Sequence, residues 1–257
     1  MKVRIIGAHN YASRDTRLAC MVIDGRLALD AGSLATGLAF DEQARIEAVL
    51  LTHRHLDHVN DLAMLGGVAY YMGGRVDVYG TAPTLRAVEE YLFHGALFPD
   101  PRLRPSPDDP AMRLHILEEY KPTEVAGYRV LAVPGSHSVP TTGFEVTDPA
   151  GRRVFYSGDT NEGIAEVWPH IRPDLMLLEC TVSNARADGP DPPRHLSARL
   201  FGEVLEEFRR QHGYIPKMVA VHLLPFDEDA VRAELPQVAR QLGIEIAIAR
   251  EGDVYEA

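Results

Sequence analysis

These 257 residues offer little from which to build a disulfide scaffold, a membrane span or a nucleic-acid clamp. Cys20 and Cys180 are the only cysteines, far apart, in no paired motif and each set among apolar residues. That excludes a disulfide framework and points to buried thiols in a reducing cytoplasm. No apolar run approaches the roughly 20 residues of a spanning helix, so no membrane partner is expected. The opening stretch, residues 1–6, is too short in its apolar run for a signal peptide and reads as a first strand. Basic residues are outnumbered, with 26 Lys plus Arg against 37 Asp plus Glu and a formal net charge of −11. A surface of that sign repels polyanions at long range, so a long nucleic acid is not expected as a partner. A small anion at a cationic site is still allowed, because local cations outweigh a distant field. Internal repeats and low-complexity tracts are also missing. With 46% apolar and 25% charged residues, length and composition fit a single α/β domain over 1–257.

One stretch stands out against that background. Leu50-Leu51-Thr52-His53-Arg54-His55-Leu56-Asp57-His58-Val59 puts three histidines and an aspartate within six residues. It follows the apolar run 48–51, which reads as a short buried strand. Neutral imidazole suits zinc, and a carboxylate can share an ion or bridge two. In extended geometry His53 and His55 point to the same side and can reach one ion. Asp57 and His58 fall at the turn into the next helix, where they can face a second. Further along, His137 in 133–140, Asp159 in Tyr156-Ser157-Gly158-Asp159-Thr160 and His222 in 219–225 each sit where the chain leaves a strand. Singly, each could be a hydrogen-bonded surface histidine or a turn aspartate. Together they can converge on one sheet edge with the first motif.

Apolar alternation and turn residues predict strands at 3–6, 18–23, 27–29, 76–79, 113–117, 128–133, 142–146, 153–156, 175–178, 218–221 and 244–248. Helices are expected over 60–71, 83–93, 163–168, 197–211 and 229–242. Strands followed by helix, twice over, predict two sheets packed face to face with helices outside, a four-layer αββα sandwich. Between the halves, Pro99, Pro101, Pro105, Pro107 and Pro110 argue against regular structure. The irregular segment 94–112 is either a solvated connector or a flap bringing His94, Phe98, Arg102 or Arg104 near substrate.

In order and spacing, over nearly the whole chain, these segments resemble the metallo-β-lactamase superfamily. The resemblance implies the four-layer sandwich and a two-metal hydrolytic site. One ion would be held by His53, His55 and His137, the other by Asp57, His58 and His222, with Asp159 bridging. Asp30, at the tip of the third strand, is similar to the family's strand-end aspartate, which supports the site from behind. One departure is that Asn60-Asp61 stands where the family commonly has a glycine two residues after the last histidine of the motif. It bears on how the helix starts and leaves the ligands untouched. Two neighbouring cations lower the pKa of a shared water, so the expected nucleophile is a metal-bound hydroxide. Zinc is the default metal, with manganese or iron as alternatives. The iron-containing oxygen-reducing branch generally has an acidic residue where this chain has His55.

Within that resemblance, three features narrow the substrate class. A bridging Asp159 is unlike the true β-lactamases, and the chain ends soon after His222, without the helical C-terminal domain of glutathione thioesterases. Glu179-Cys180-Thr181 and His195-Leu196-Ser197 resemble the Glu and His pair of the phosphodiesterase branch. That branch includes tRNA 3′-end-processing ribonucleases and class II cyclic-nucleotide phosphodiesterases. Phosphodiester cleavage expels a poor alkoxide leaving group, which a positioned imidazolium can protonate and a carboxylate behind it can orient. The plain alternative is that His195 merely begins a helix. The His-x-His-Leu-Asp-His form looks closer to the cyclic-nucleotide group, and no Gly- and basic-rich tRNA-clamping arm is present. The expectation is therefore a dinuclear phosphodiesterase acting on a small cyclic nucleotide or related phosphodiester, with Asp57, His195 and Glu179 catalytic. The alternative is a lactonase or other carboxylic ester hydrolase on the same two metals. A non-enzymatic metal or nucleotide sensor ranks lower, since no ligand is broken. Expected partners are a small-molecule substrate and a second copy in a homodimer, with no long nucleic acid.

Overall fold

The computed structural model describes residues 1–191 and 193–257. Its first half lays down strands β1 (Lys2–Gly7), β2 (Cys20–Ile23) and β3 (Leu27–Leu29), then short helices α1 (Leu34–Gly37) and α2 (Phe40–Gln43). Strand β4 (Ala48–Leu51), helices α3 (Leu56–Val59) and α4 (Leu62–Tyr71), strand β5 (Val76–Gly80) and helix α5 (Ala82–Ala87) follow. A two-residue hairpin, β6 (Pro105–Ser106) with β7 (Asp109–Pro110), leads to β8 (Met112–Ile116). The second half runs β9 (Thr123–Val125), β10 (Tyr128–Pro134), β11 (Thr142–Thr147), β12 (Arg153–Tyr156) and β13 (Leu175–Glu179). It ends with α6 (Asn184–Ala187), α7 (Ala198–His212), β14 (Lys217–Val221), α8 (Glu228–Leu242), β15 (Ile246–Ile248) and β16 (Val254–Glu256).

Two seven-stranded sheets result, in the orders β16-β1-β2-β3-β4-β5-β8 and β15-β14-β13-β12-β11-β10-β9. Their layering follows from the two-residue period of a strand. On β4, Ala48 and Leu50 join the core between the sheets, while Val49 and Leu51 join the core under α1 and α4. On β13 and β14, Leu175, Leu177, Val219 and Val221 face the first sheet, and Met176, Leu178, Met218 and Ala220 face α7 and α8. Strands buried on both faces are apolar throughout, as β4 and β13 are. The four-layer αββα sandwich expected from the sequence is what the chain forms. Among the described residues, no helix is long and apolar enough to cross a membrane.

Three expected helices differ in detail. The predicted 60–71 helix starts earlier and breaks, α3 giving way to α4 at Asn60 and Asp61. There the buried Asp61 carboxylate accepts the Thr36 amide at 2.7 Å and the Thr36 hydroxyl at 2.8 Å, tying α1 to the break. The departure at Asn60-Asp61 is thus a fastening point. The predicted 83–93 helix changes register: α5 stops at Ala87, and Val88–Leu92 is a π-helical turn closed by Phe93 N–H donating to the Val88 carbonyl at 3.0 Å. Residues Glu162–His170 form a 3₁₀ rather than an α-helical stretch. In the proline-rich segment, Pro101 and Phe98 pack on α4 so closely that a Cβ on Gly66 or Gly67 would lie 2.6 or 3.0 Å from them. Arg102 there pairs with Asp100 and Glu89.

Candidate metal centre

All the predicted site residues meet where strands of both sheets end. Asp30 follows β3 and Thr52-His53 follow β4, while His55, Asp57 and His58 cap or occupy α3. From the second sheet come His137 after β10, Asp159 after β12, Glu179 as the last residue of β13, and His222 after β14. The turn before Asp159 requires glycine. Gly158 has φ +59°, and a Cβ there would lie 2.8 Å from the Thr52 side chain. Two other site positions take the left-handed conformation without being glycine, Asp30 at φ 58° and His222 at φ 62°. Such strain costs about 1–3 kcal/mol per residue and persists only where the surroundings over-determine it. At His222 they do so through Leu223 N–H to the Ala8 carbonyl at 2.8 Å and Leu224 N–H to the Thr181 carbonyl at 3.0 Å.

Asp159 organises the rings. Its Oδ2 lies 3.6 Å from His53 Nε2 and 3.7 Å from His137 Nε2. Its Oδ1 lies 3.1 Å from both His58 Nε2 and His222 Nε2. His137 Nε2 is in turn 3.3 Å from His55 Nδ1, and Asp57 Oδ2 is 3.2 Å from His222 Nε2. Two groups result, His53/His55/His137/Asp159 and Asp57/His58/Asp159/His222, each with its ligand atoms within 4.8 Å of one another. Asp159 belongs to both and offers one oxygen to each.

The far side of most rings is already committed. His58 Nδ1 donates to Asp30 Oδ2 at 2.7 Å, and Asp30 also receives the Thr52 amide, the Thr52 hydroxyl and the Tyr156 hydroxyl. His53 Nδ1 meets Thr52 Oγ1 at 3.1 Å, and His222 Nδ1 meets Thr181 Oγ1 at 2.9 Å. His137 Nδ1 donates to the Arg194 carbonyl at 3.0 Å. Partners of this kind fix the tautomer and leave the Nε2 lone pair facing the cluster. Thr52 and Thr181, the hydroxyl relays, were not among the residues singled out from sequence; each directly follows or precedes a strand-end motif, and that adjacency is the only signal.

Does this donor set suit divalent ions? His53 Nε2 and Asp159 Oδ1 are buried and make no hydrogen bond among the described residues. An orphaned buried acceptor is costly unless something electropositive reaches it. Two ligands at about 2.1 Å on a tetrahedral ion sit about 3.4 Å apart, close to the spacings above. Protonation behaviour agrees. Burial and the neighbouring His58 push His53 well below the ordinary imidazole range, and burial lowers His55 and His137 too, so these rings are neutral, the form that ligates. Against the opposing effect of burial, the imidazoles of His222 and His58 hold Asp159 well below the ordinary carboxylate range, and His58 does the same for Asp57. His58 moves upward despite burial, because Asp159, Asp30 and Asp57 surround it. A proton held by three carboxylates is one that a dication would displace. The residues fit two divalent cations.

Beside this set lies a third group, Glu179, His195 and His222. Glu179 is fully buried and satisfied by four donors: Thr160 N–H at 2.6 Å, Thr181 Oγ1 at 2.6 Å, Leu196 N–H at 3.2 Å and His195 Nδ1 at 2.9 Å. Burial alone would lower the His195 pKa, but the charge and hydrogen bond of Glu179 overcome it and push it up to about 9. The two residues expected as an acid and its orienting carboxylate are in contact.

Comparison with known proteins places these features. The Beta-lactamase superfamily domain matches residues 29–223. A ribonuclease of Thermus thermophilus is 32% identical over 175 residues, 66% of this chain, and the match spans 39% of that protein's length. Among solved structures, unliganded yeast PDE1 superposes with a TM-score of 0.80 at 15% identity, covering 98% of each chain. The short form of human tRNase Z gives 0.67 at 19% identity, covering 100% of this chain and 99% of its own. At such identities these structures share the fold. The expected partner set, which left out long nucleic acid, is overturned by the ribonuclease relative. Net charge misled because it is a sum over the whole surface. Among the acids it counts are Asp30, Asp159 and Glu179, which are buried at the cluster and are not part of the outer surface. Next to the candidate ligands, Arg54 and Arg194 are exposed and make no ion pair among the described residues. With a family pattern covering most of its length and the four-layer sandwich to match, the chain belongs to the β-lactamase superfamily.

Proposed function

We propose that this protein is a metal-dependent hydrolase that cleaves phosphodiester bonds of nucleotide substrates. The observation carrying the reading is the Glu179–His195 pair, locked together at 2.9 Å beside His222. A nucleotide phosphodiester leaves as a strongly basic ribose alkoxide, which calls for a proton donor at that place. When bound, divalent ions supply the Lewis acidity that activates water and offsets charge on the phosphoryl group, with zinc the first to test.

The remaining work falls to side chains. His53, His55, His137, Asp159, Asp57, His58 and His222 are the proposed ligands, with Asp159 shared. Asp57, held ionised and with 20% of its side chain exposed, is the carboxylate at the cluster that can accept a hydrogen bond from the incoming water and orient it. His195 keeps Nδ1 on Glu179 and donates from Nε2 to the departing ribose oxygen. Glu179 fixes that tautomer and stabilises the imidazolium. The free, buried thiols of Cys20 and Cys180 agree with a reducing cytoplasm.

Cyclic nucleotides and RNA present the same bond, so the test uses both. Metal-loaded protein would be given 2′,3′- and 3′,5′-cyclic nucleotides, an RNA with a 3′ extension and a simple lactone, with and without chelator. Chelator-sensitive cleavage of a phosphodiester, with the lactone untouched, is expected. Lactone cleavage with inert phosphodiesters would overturn the reading.

A further inference from the structure

A cleft of about 360 Å³ opens directly beside His55. Leu56, Val59, Val88, Leu92 and Val139 form its walls, and Arg54 and Tyr91 stand with them. Ligand pockets start at roughly this size and are mostly apolar with a few polar groups. Two observations show a surface awaiting a partner. Tyr91 is 67% exposed and Leu56 66% exposed, an unusual state for large apolar groups next to a metal cluster. Tyr91 also sits on the π-helical turn Val88–Leu92, where the helix widens by one residue and re-aims its side chains. Such single turns are frequent at functional sites.

We infer that this cleft takes the nucleobase next to the scissile phosphate, with Tyr91 as its stacking face and Arg54 as the cation for the phosphate. The inference rests on the phosphodiesterase reading of the adjoining cluster. An acyl chain would fill the walls but leave the exposed guanidinium of Arg54 without a partner. A nucleotide satisfies both, since its base is flat and apolar on its faces and its phosphate is anionic. Arg54 and Tyr91 both line this one cleft, so one ligand can span the two. The walls carry aliphatic side chains, so the base is held by its face and its Watson–Crick edge goes unread. Stacking of that kind tolerates every base. Tyr91 and Arg54 are thus specificity residues for nucleotides as a class, without choosing among bases.

AMP and ribose 5-phosphate differ only in the base, so their equilibrium binding to zinc-loaded protein isolates the cleft. AMP should bind more tightly, and Tyr91→Ala should weaken it by about 5- to 150-fold, the range of one base–aromatic stack. Ribose 5-phosphate should shift less than about twofold in the same variant, and Tyr91→Phe should keep AMP affinity, showing that loss in the alanine variant is not misfolding. GMP, CMP and UMP should bind within about tenfold of AMP. Equal affinity for AMP and ribose 5-phosphate, or AMP binding indifferent to Tyr91→Ala, would overturn the assignment. The outcome is separable from the reaction: a base-dependent affinity with no phosphodiester turnover retains the cleft and removes the catalytic reading.

Discussion

The two halves of the metal centre are built from similar rings but backed differently. In the Asp57/His58/His222 half, His58 donates straight to buried Asp30, and His222 reaches Glu179 through the Thr181 hydroxyl. Asp57 adds a carboxylate of its own. In the His53/His55/His137 half, His137 rests on the Arg194 carbonyl, His53 reaches Asp30 only through the Thr52 hydroxyl, and His55 has the His137 ring as its hydrogen-bond partner, with no carboxylate behind it among the described residues. A carboxylate behind an imidazole raises its basicity, and one in the ligand set adds direct attraction for a dication. The two pockets would therefore hold ions unequally, the Asp57 side more tightly and the side facing the His55 cleft more loosely.

Removing the group the halves share should have the largest effect. Asp159→Ala takes one oxygen from each pocket, so both ions should be lost in a metal assay and turnover abolished; retention of either ion would show that one half stands alone. A smaller effect is expected from Asp30→Asn, a residue type that tolerates the left-handed backbone found there. Zinc titration should show the tighter affinity falling by about 10- to 100-fold, the usual cost of losing a carboxylate behind a ligating histidine. Should the weaker affinity fall instead, the asymmetry is reversed.

Local and non-local features of this site were not equally legible. His53, His55, Asp57 and His58 announce themselves because four side chains of a kind that can ligate metal share one strand end. His137, Asp159 and His222 were readable because each follows an apolar run, and chain exits from one sheet edge converge. Thr52 and Thr181 were invisible as relays, since a hydroxyl has no spacing rule and its role depends on which ring ends up opposite. The Tyr91 cleft was hidden for a different reason. A regular helix over 83–93 has one register, and nothing in the apolar pattern marks where a π-turn shifts it. The fold itself followed from strand alternation, whereas the nucleic-acid expectation failed because a formal charge of −11 carries no information on where the charges sit.

The most direct test of the account is the pH profile of kcat for His195→Ala against the unaltered protein, using a substrate with a nucleoside leaving group and measuring bound metal alongside. A general acid is active while protonated, and with its pKa up to about 9 His195 serves at neutral pH and is lost as pH rises through that value. Turnover of the unaltered protein should therefore fall above about pH 9. The variant should be slower by about 10²- to 10⁴-fold, lack that alkaline limb, and keep its full metal content. An unchanged rate, or metal lost along with activity, would contradict the role given to His195 and Glu179.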